Sequence, residues 1–422
     1  MPLVAVLCCI PADRIVSGGG INPLSMINIH LISNPIQMSI IPLPMMFLLF
    51  GFVLSLIMSL IAIPNILTVS YRKKLFDEPD PRKVHKTPVP RLGGISFTPS
   101  ITISMFVTIG VWMYFNPSLA LSETALVLHE FLFLFAGLTL LYLIGEVDDL
   151  VGVGYRYKFI VQLLSASLIV LSGNWLSSLG GLFGIYEIPV WIGMPLSVLI
   201  IVYITNAINL IDGIDGLASG LCCIALAVLG GMLAVRGEYI YALLSLATLG
   251  VVIPFWFYNV FGNVRNGRKL FMGDTGSLTL GYILSFIIIY VGTNCGKYGG
   301  LRDFVVAISA ILVPILDVLR VVLHRLRKNR NPFLPDRNHF HHKLLRTGMR
   351  ARFVLLTIIG VVVFFIVFNY VMFPYINVTL LLIIDVVLWT CMHIFINYRI
   401  RLYSKEHPEV STSCPEKNGG KE

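Results

Sequence analysis

The sequence predicts an all-α protein that crosses a membrane many times. Three observations carry that prediction. Of the 422 residues, 56% are hydrophobic and only 13% are charged, where a soluble domain carries about 25% charged residues. The mean hydropathy is +0.84. Apolar runs of roughly the 20 residues that a helix needs to span a bilayer recur along nearly the whole chain. A soluble fold of this size has no interior large enough for so much apolar surface. Disorder and a secreted disulfide scaffold are excluded as whole-chain readings. Within lipid every backbone N–H and C=O needs an internal partner, so the runs are read as helices.

Residues 1–40 form an N-terminal extension with Arg14, the run Gly18-Gly19-Gly20 and short apolar stretches. They lack the long apolar core and cleavage site of a signal peptide. About eleven transmembrane helices follow, over 42–66, 93–113, 125–145, 159–174, 192–210, 217–235, 239–257, 276–292, 304–323, 353–371 and 375–396. The span at 159–174 is short and is extended most naturally back to Tyr155. Pro254 and Pro314 fall where spans tolerate kinks. Residues 41–397 therefore read as a single membrane domain, and 398–422 as a polar tail.

The spans divide the loops into two sets. One holds 67–92, 146–158, 211–216, 258–275, 324–352 and the tail; with Arg320 it carries 27 of the 31 Lys and Arg residues. The other holds Arg14, Arg236, Lys297 and Arg302. The positive-inside rule places the first set in the cytoplasm, with the N-terminus outside and the C-terminus inside. The formal net charge of +9 is then explained by topology and by anionic lipids or phosphate ligands, and no nucleic-acid partner is expected. Among the seven cysteines no pair has metal-site or C-x-x-C spacing, so neither a redox function nor a disulfide framework is read.

The chemistry-bearing residues sit on the basic side. The first loop runs Arg82-Lys83-Val84-His85, then Pro90-Arg91-Leu92-Gly93-Gly94. Basic groups beside glycines and prolines can bind phosphate, or they can be an ordinary positive-inside loop clamped by prolines. The third span ends in Asp148-Asp149. Adjacent carboxylates at a helix C-terminus oppose the macrodipole and each other. Mg²⁺ shared with phosphate oxygens relieves both terms, and so, less fully, does solvation. The fifth span runs into Asn206-x-x-Asn209-x-x-Asp212-Gly213-x-Asp215-Gly216. The steps of three place these amides and the first carboxylate on one helical face, suited to a polar ligand or to capping. Asp274, in Phe271-Met272-Gly273-Asp274-Thr275-Gly276-Ser277, reads as a metal ligand or an N-cap. Asp336-Arg337-Asn338-His339-Phe340-His341-His342 suits either a transition metal or, through imidazoles and Arg337, a pyrophosphate.

In this order the motifs resemble the polyprenyl-phosphate N-acetylhexosamine-1-phosphate transferases over about residues 45–350. The Arg-Lys-x-His and Pro-Arg-x-Gly-Gly patterns are similar to the branch that uses UDP-GlcNAc. The phospho-MurNAc-pentapeptide transferases, which carry a Thr-rich first loop, are the alternative. The extension at 1–40 and the segment 264–270 depart from the usual pattern. The resemblance implies an enzyme of the bacterial inner membrane with a cytoplasmic site. It implies transfer of a sugar 1-phosphate from a UDP-sugar to undecaprenyl phosphate, with release of UMP, to start a cell-wall or lipopolysaccharide O-antigen glycan. It implies Mg²⁺, with Mn²⁺ as substitute, held by Asp149 and Asp274 and joined by Asp148. Asp148, Asp149, Asp212, Asp215 and Asp274 then carry catalysis. Arg82, Lys83, His85, Asn206, Asn209, Arg337, His339, His341 and His342 bind substrates. Anionic membrane lipids are expected partners, and a homodimer is left open. A lipid or nucleotide-sugar transporter is the rival of another class, and the His-rich loop alone would support a metal-ion permease. Transport predicts ionisable groups deep in the spans; the sequence reads as apolar there.

Overall fold

The computed structural model describes residues 43–75, 89–116, 124–294, 300–329 and 338–407. The readings made for residues 1–40 and for Arg82, Lys83, His85 and Arg337 lie outside the described residues. Helices account for most of what is described. They are α1 (Leu43–Lys73), α2 (Phe97–Phe115), α3 (Thr124–Val151), α4 (Tyr155–Leu171), α5 (Val190–Ile211), α6 (Leu217–Val235) and α7 (Tyr239–Phe261). There follow α8 (Gly273–Thr293), α9 (Leu301–Ala310), α10 (Leu312–Arg327), α11 (Phe340–Leu345), α12 (Ala351–Met372) and α13 (Val378–Glu406).

Nine of these are long and apolar enough to cross a membrane, or ten if the bent pair α9–α10 is one span. The chain is thus a multi-pass, all-helical membrane protein, and the expected eleven spans are not all reached by length. The difference lies at α4, which begins at Tyr155 and has 17 residues.

The expected span 304–323 is broken. α9 and α10 meet at a 64° bend around Ile311, the residue shared as cap by both. Pro314 explains the position. It lacks an N–H and is tolerated in a helix's first turn, where that N–H has no partner in any case. Restarting the helix at Leu312 puts Pro314 there.

α8 is the central element. Its most apolar window is entirely enclosed by protein, whereas those of α12 and α13 are 28% enclosed. A helix that is apolar all round belongs in such a place. α3 and α5 pack most extensively against it, with α9, α6 and α7 completing its surround, and Tyr282 Oη reaches α4 by donating to Ser165 O at 2.8 Å. Between membrane helices, close packing and polar contacts replace the hydrophobic drive.

The spans are not apolar throughout, contrary to the sequence reading. Glu130 in α3 is buried and accepts a 2.7 Å bond from Tyr241 Oη. Asp385 in α13 is buried and accepts from Asn369 Nδ2 at 2.9 Å, which also donates to Ser309 Oγ at 2.8 Å. Each carboxylate meets a donor across a helix interface, the condition under which a polar group survives burial. These are isolated clusters on different helices.

Candidate active site

The site is assembled where the end of α3 meets the start of α8. Asp149, in the last turn of α3, does not point into an empty cleft. Its Oδ1 accepts from Asp274 N at 2.7 Å, and its Oδ2 accepts from Thr275 N at 3.0 Å and Thr275 Oγ1 at 2.7 Å. It therefore caps α8 from a neighbouring helix, satisfying amides that a helix N-terminus leaves unpaired. The positive end of the α8 macrodipole also offsets the unfavourable end of α3.

This cap brings three carboxylates together. Ligand oxygens of Asp148, Asp149 and Asp274 all lie within 4.8 Å of one another. Lys158, at the start of α4, closes the group: its Nζ is 2.7 Å from Asp274 Oδ2 and 3.1 Å from Asp148 Oδ2. Burial opposes the charge on Lys158, but Asp274 and Asp148 more than offset it and raise its pKa. Asp148 Oδ1 also accepts from Val153 N at 2.7 Å. A donor set of hard carboxylate oxygens fits Mg²⁺ or Mn²⁺. Asp149 already accepts three hydrogen bonds, so Asp148 and Asp274 offer the larger share of open lone pairs.

The first loop contributes backbone. Gly93 N donates to Phe271 O at 3.0 Å, Gly94 N to Met272 O at 2.8 Å, and Phe271 N to Pro90 O at 2.8 Å. A Cβ on Gly94 would overlap the backbone of Gly276, so this approach needs glycine. Arg91 is thereby set beside the acidic group.

On α5, Asn206 Nδ2 donates to Gln162 Oε1 on α4 at 2.6 Å, and Asn209 Nδ2 donates to Ser277 Oγ on α8 at 2.8 Å. Both amides thus join helices. Asp212 caps α5 and is solvent-exposed. The crowding of protein around it pushes its carboxyl up to about 7, Arg91 opposes the shift, and Asp215, Asp274 and Asp149 add to it. Water on its open side moderates the effect. Asp215 is paired at 2.5 Å with the buried Lys269, which also donates to Asn259 O at 2.6 Å.

The histidines form two kinds of contact. His339 Nδ1 lies 2.9 Å from Asp317 Oδ2, and Phe340 N donates to Asp317 Oδ1 at 2.9 Å. Arg320 donates to Asp317 Oδ1 at 2.9 Å and to Asn338 O. His341 is buried and packs on Gly213, where a Cβ would overlap its Nε2. Burial, then His342 and His339, lowers its pKa to about 3. Both ring nitrogens of His341 are buried without a hydrogen-bond partner among the described residues. The rings of His341 and His342 are 4.2 Å apart. Among the described residues the metal-type grouping is that of the aspartates, and the histidines lie outside it.

Lys158, Asp317 and Lys269 were not singled out from sequence. Lys158 and Lys269 were absorbed into the positive loops. Asp317 had a signal, an acidic residue three positions before Arg320 near the end of a span, which went unused.

Residues 131–292 match the family model of "Glycosyl transferase family 4". The chain is 32% identical over 294 residues to the undecaprenyl-phosphate alpha-N-acetylglucosaminyl 1-phosphate transferase of Escherichia coli (strain K12), covering 69% of this chain and 75% of that protein. It is 30% identical over 294 residues, with the same coverage, to the protein of that name from Yersinia pestis. The matched profile contains Asp148, Asp149, Asn206, Asn209, Asp212, Asp215 and Asp274. The chain belongs to glycosyl transferase family 4, in the branch of the undecaprenyl-phosphate N-acetylglucosaminyl 1-phosphate transferases.

Proposed function

We propose that the protein transfers GlcNAc 1-phosphate from UDP-GlcNAc to undecaprenyl phosphate, releasing UMP, and so primes a cell-envelope glycan. The observation that carries the reading is the group Asp148, Asp149 and Asp274 beside Asp212 and His341, in a chain whose relatives bear that name. The acceptor's phosphate oxygen attacks the donor β-phosphorus, and the bond from that phosphorus to the oxygen shared with UMP breaks.

Two anionic substrates meet here, so cationic groups must balance them. Mg²⁺, when bound by Asp148 and Asp274 with Asp149, supplies neutralisation of the diphosphate charge. Lys158 and Arg91 hold part of that positive charge in place beforehand. Asp212, at the end of α5, accepts a hydrogen bond from a sugar or ribose hydroxyl. A phosphate monoester with a second pKa of about 6 is largely dianionic at neutral pH, so Asp148 orients the acceptor and is not required as a base. His339 and His341 shape the donor side. Arg82, Lys83, His85 and Arg337, which lie outside the described residues, are assigned to substrate binding by their sequence motifs alone.

The same reading includes eleven spans in the bacterial inner membrane, the N-terminus outside and the site facing the cytoplasm. α4 and the α9–α10 pair complete the count, and the 27 to 4 division of basic residues supports the orientation. The test is incubation of purified protein with undecaprenyl phosphate and a panel of labelled UDP-sugars, measuring UMP. UMP release with UDP-GlcNAc supports the reading. Release only with UDP-MurNAc-pentapeptide favours the phospho-MurNAc-pentapeptide branch, and no release with any donor defeats the proposal.

A further inference from the structure

A second cleft opens between α10 and α13, with a volume of about 380 Å³. None of the five aspartates of the candidate active site lines it. On α10 its wall passes from Leu316 and Leu319 to Arg320, His324 and Arg327. On α13 it passes from Val386 through Trp389 to His393 and Asn397. Each helix thus contributes one face, at i, i+3, i+4 spacing, that grades from apolar to polar toward its C-terminus. Lys343 on α11 adds a further cation. The rim is greasy and open: Leu319, Leu323 and Ile394 are exposed.

Two details point to a missing ligand. Trp389 and His393 are 4% and 5% exposed, yet Trp389 Nε1 and both ring nitrogens of His393 have no hydrogen-bond partner among the described residues. Buried polar atoms in proteins are nearly always paired. The cleft also gathers basic groups: Arg320, paired with Asp317, Lys343, which donates to Asn397 Oδ1 at 3.1 Å, and Arg327. Lys343 is lowered to about 8 by burial and then by Arg320 and Arg346, with Asp317 opposing.

We infer that this cleft binds an anionic glycerophospholipid, its phosphate held by Arg327, Lys343 and His393 and its acyl chains along the apolar half of the α10 and α13 faces. The headgroup brings negative charge to Arg327 and Lys343 and acceptor oxygens to the orphaned nitrogens. Basic pockets between membrane helices take such headgroups. The undecaprenyl phosphate acceptor fits less well, because its phosphate must reach the aspartates and the cleft contains none of them.

The walls are joined to the histidine segment. Phe340 packs on Trp389 and His393 with ring centroids 5.0 and 5.2 Å apart. Arg320 binds both Asn338 and Asp317, the partner of His339. Lipid in the cleft therefore steadies residues 338–345, and it acts there as a positioning ligand.

The test uses full-length protein and reads binding, so it does not depend on the enzymatic reading. Native mass spectrometry is run with phosphatidylglycerol, phosphatidylcholine, undecaprenyl phosphate or inorganic phosphate added. Wild type and the control R399A/R401A, which removes two exposed basic residues of α13, should retain phosphatidylglycerol in preference to phosphatidylcholine. R327A/K343A should bind it about tenfold more weakly. H393F, which keeps a ring but removes both nitrogens, should show a loss in the same direction if the double variant does not fold. Hydrogen exchange at 338–345 should slow with phosphatidylglycerol in wild type and in the control, and not in the cleft variants. Equal losses in the control, or none in either cleft variant, would overturn the site. Displacement of phosphatidylglycerol by undecaprenyl phosphate at equal concentration would reassign it to the acceptor, and binding by inorganic phosphate alone would remove the lipid. Binding without slowed exchange would overturn the positioning role.

Discussion

The ring of His341 packs against Gly213, leaving no room for a side chain there. The turn after α5 and the histidine segment are thus held in register by a single missing Cβ. G213A should displace the ring and lower kcat/KM at least about tenfold. H341A should act on the same contact, so G213A/H341A should be little worse than the poorer single variant. Steady-state UMP release checks this; fully additive losses would show that the two residues act separately.

His341 also sets a pH dependence of stability. Its folded pKa is near 3, below the unfolded value of about 6.5. Between those values the unfolded chain binds a proton that the folded one refuses, so stability falls as pH falls through that window, by up to about 1.4 kcal/mol per pH unit. The melting temperature of wild type should drop more steeply from pH 6.5 to 5 than that of H341Q. Parallel curves would show that His341 does not contribute.

The carboxylates should separate by role. D274A and D148A should remove most activity with little change in folded yield. D149A should also remove activity but cost about 1–3 kcal/mol of stability, because three donors at the start of α8 lose their acceptor. Thermal unfolding of the three purified variants decides this. A D149A melt matching that of D148A would mean that water replaces the cap.

Lys158 predicts a linkage between metal and stability. It lies between Asp148 and Asp274, and without it two half-buried carboxylates repel. In chelator, K158M should be less stable than wild type by about 1–2 kcal/mol, since the pair keeps some contact with water. Mg²⁺ should raise the melting temperature of K158M more than that of wild type. Equal Mg²⁺ shifts would place the ion away from Lys158.

Much of this was legible in the sequence because its causes are local. Apolar length marks α1, α5, α7 and α12, and a carboxylate at a helix end marks Asp148, Asp149 and Asp274. What was illegible depends on contacts between distant segments. Asp149 looked like an open ligand because the amides it caps are 125 and 126 positions away. Lys158 looked like one more loop cation until α4 placed it between two aspartates. The bend at Ile311 is invisible to hydropathy, since the chain is apolar on both sides. Glu130 and Asp385 were passed over because their partners, Tyr241 and Asn369, lie on other helices.

The enclosure of α8 has a consequence for the protein's tolerance of different membranes. α1, α12 and α13 leave far more of their apolar length uncovered by protein than α8 does, so a bilayer that thickens or thins would meet the outer helices first. They can tilt to absorb the mismatch. Asp274 belongs to that innermost helix and Asp149 is tied to its first turn by three hydrogen bonds, so their spacing is expected to change less with membrane thickness than the tilt of the outer helices does.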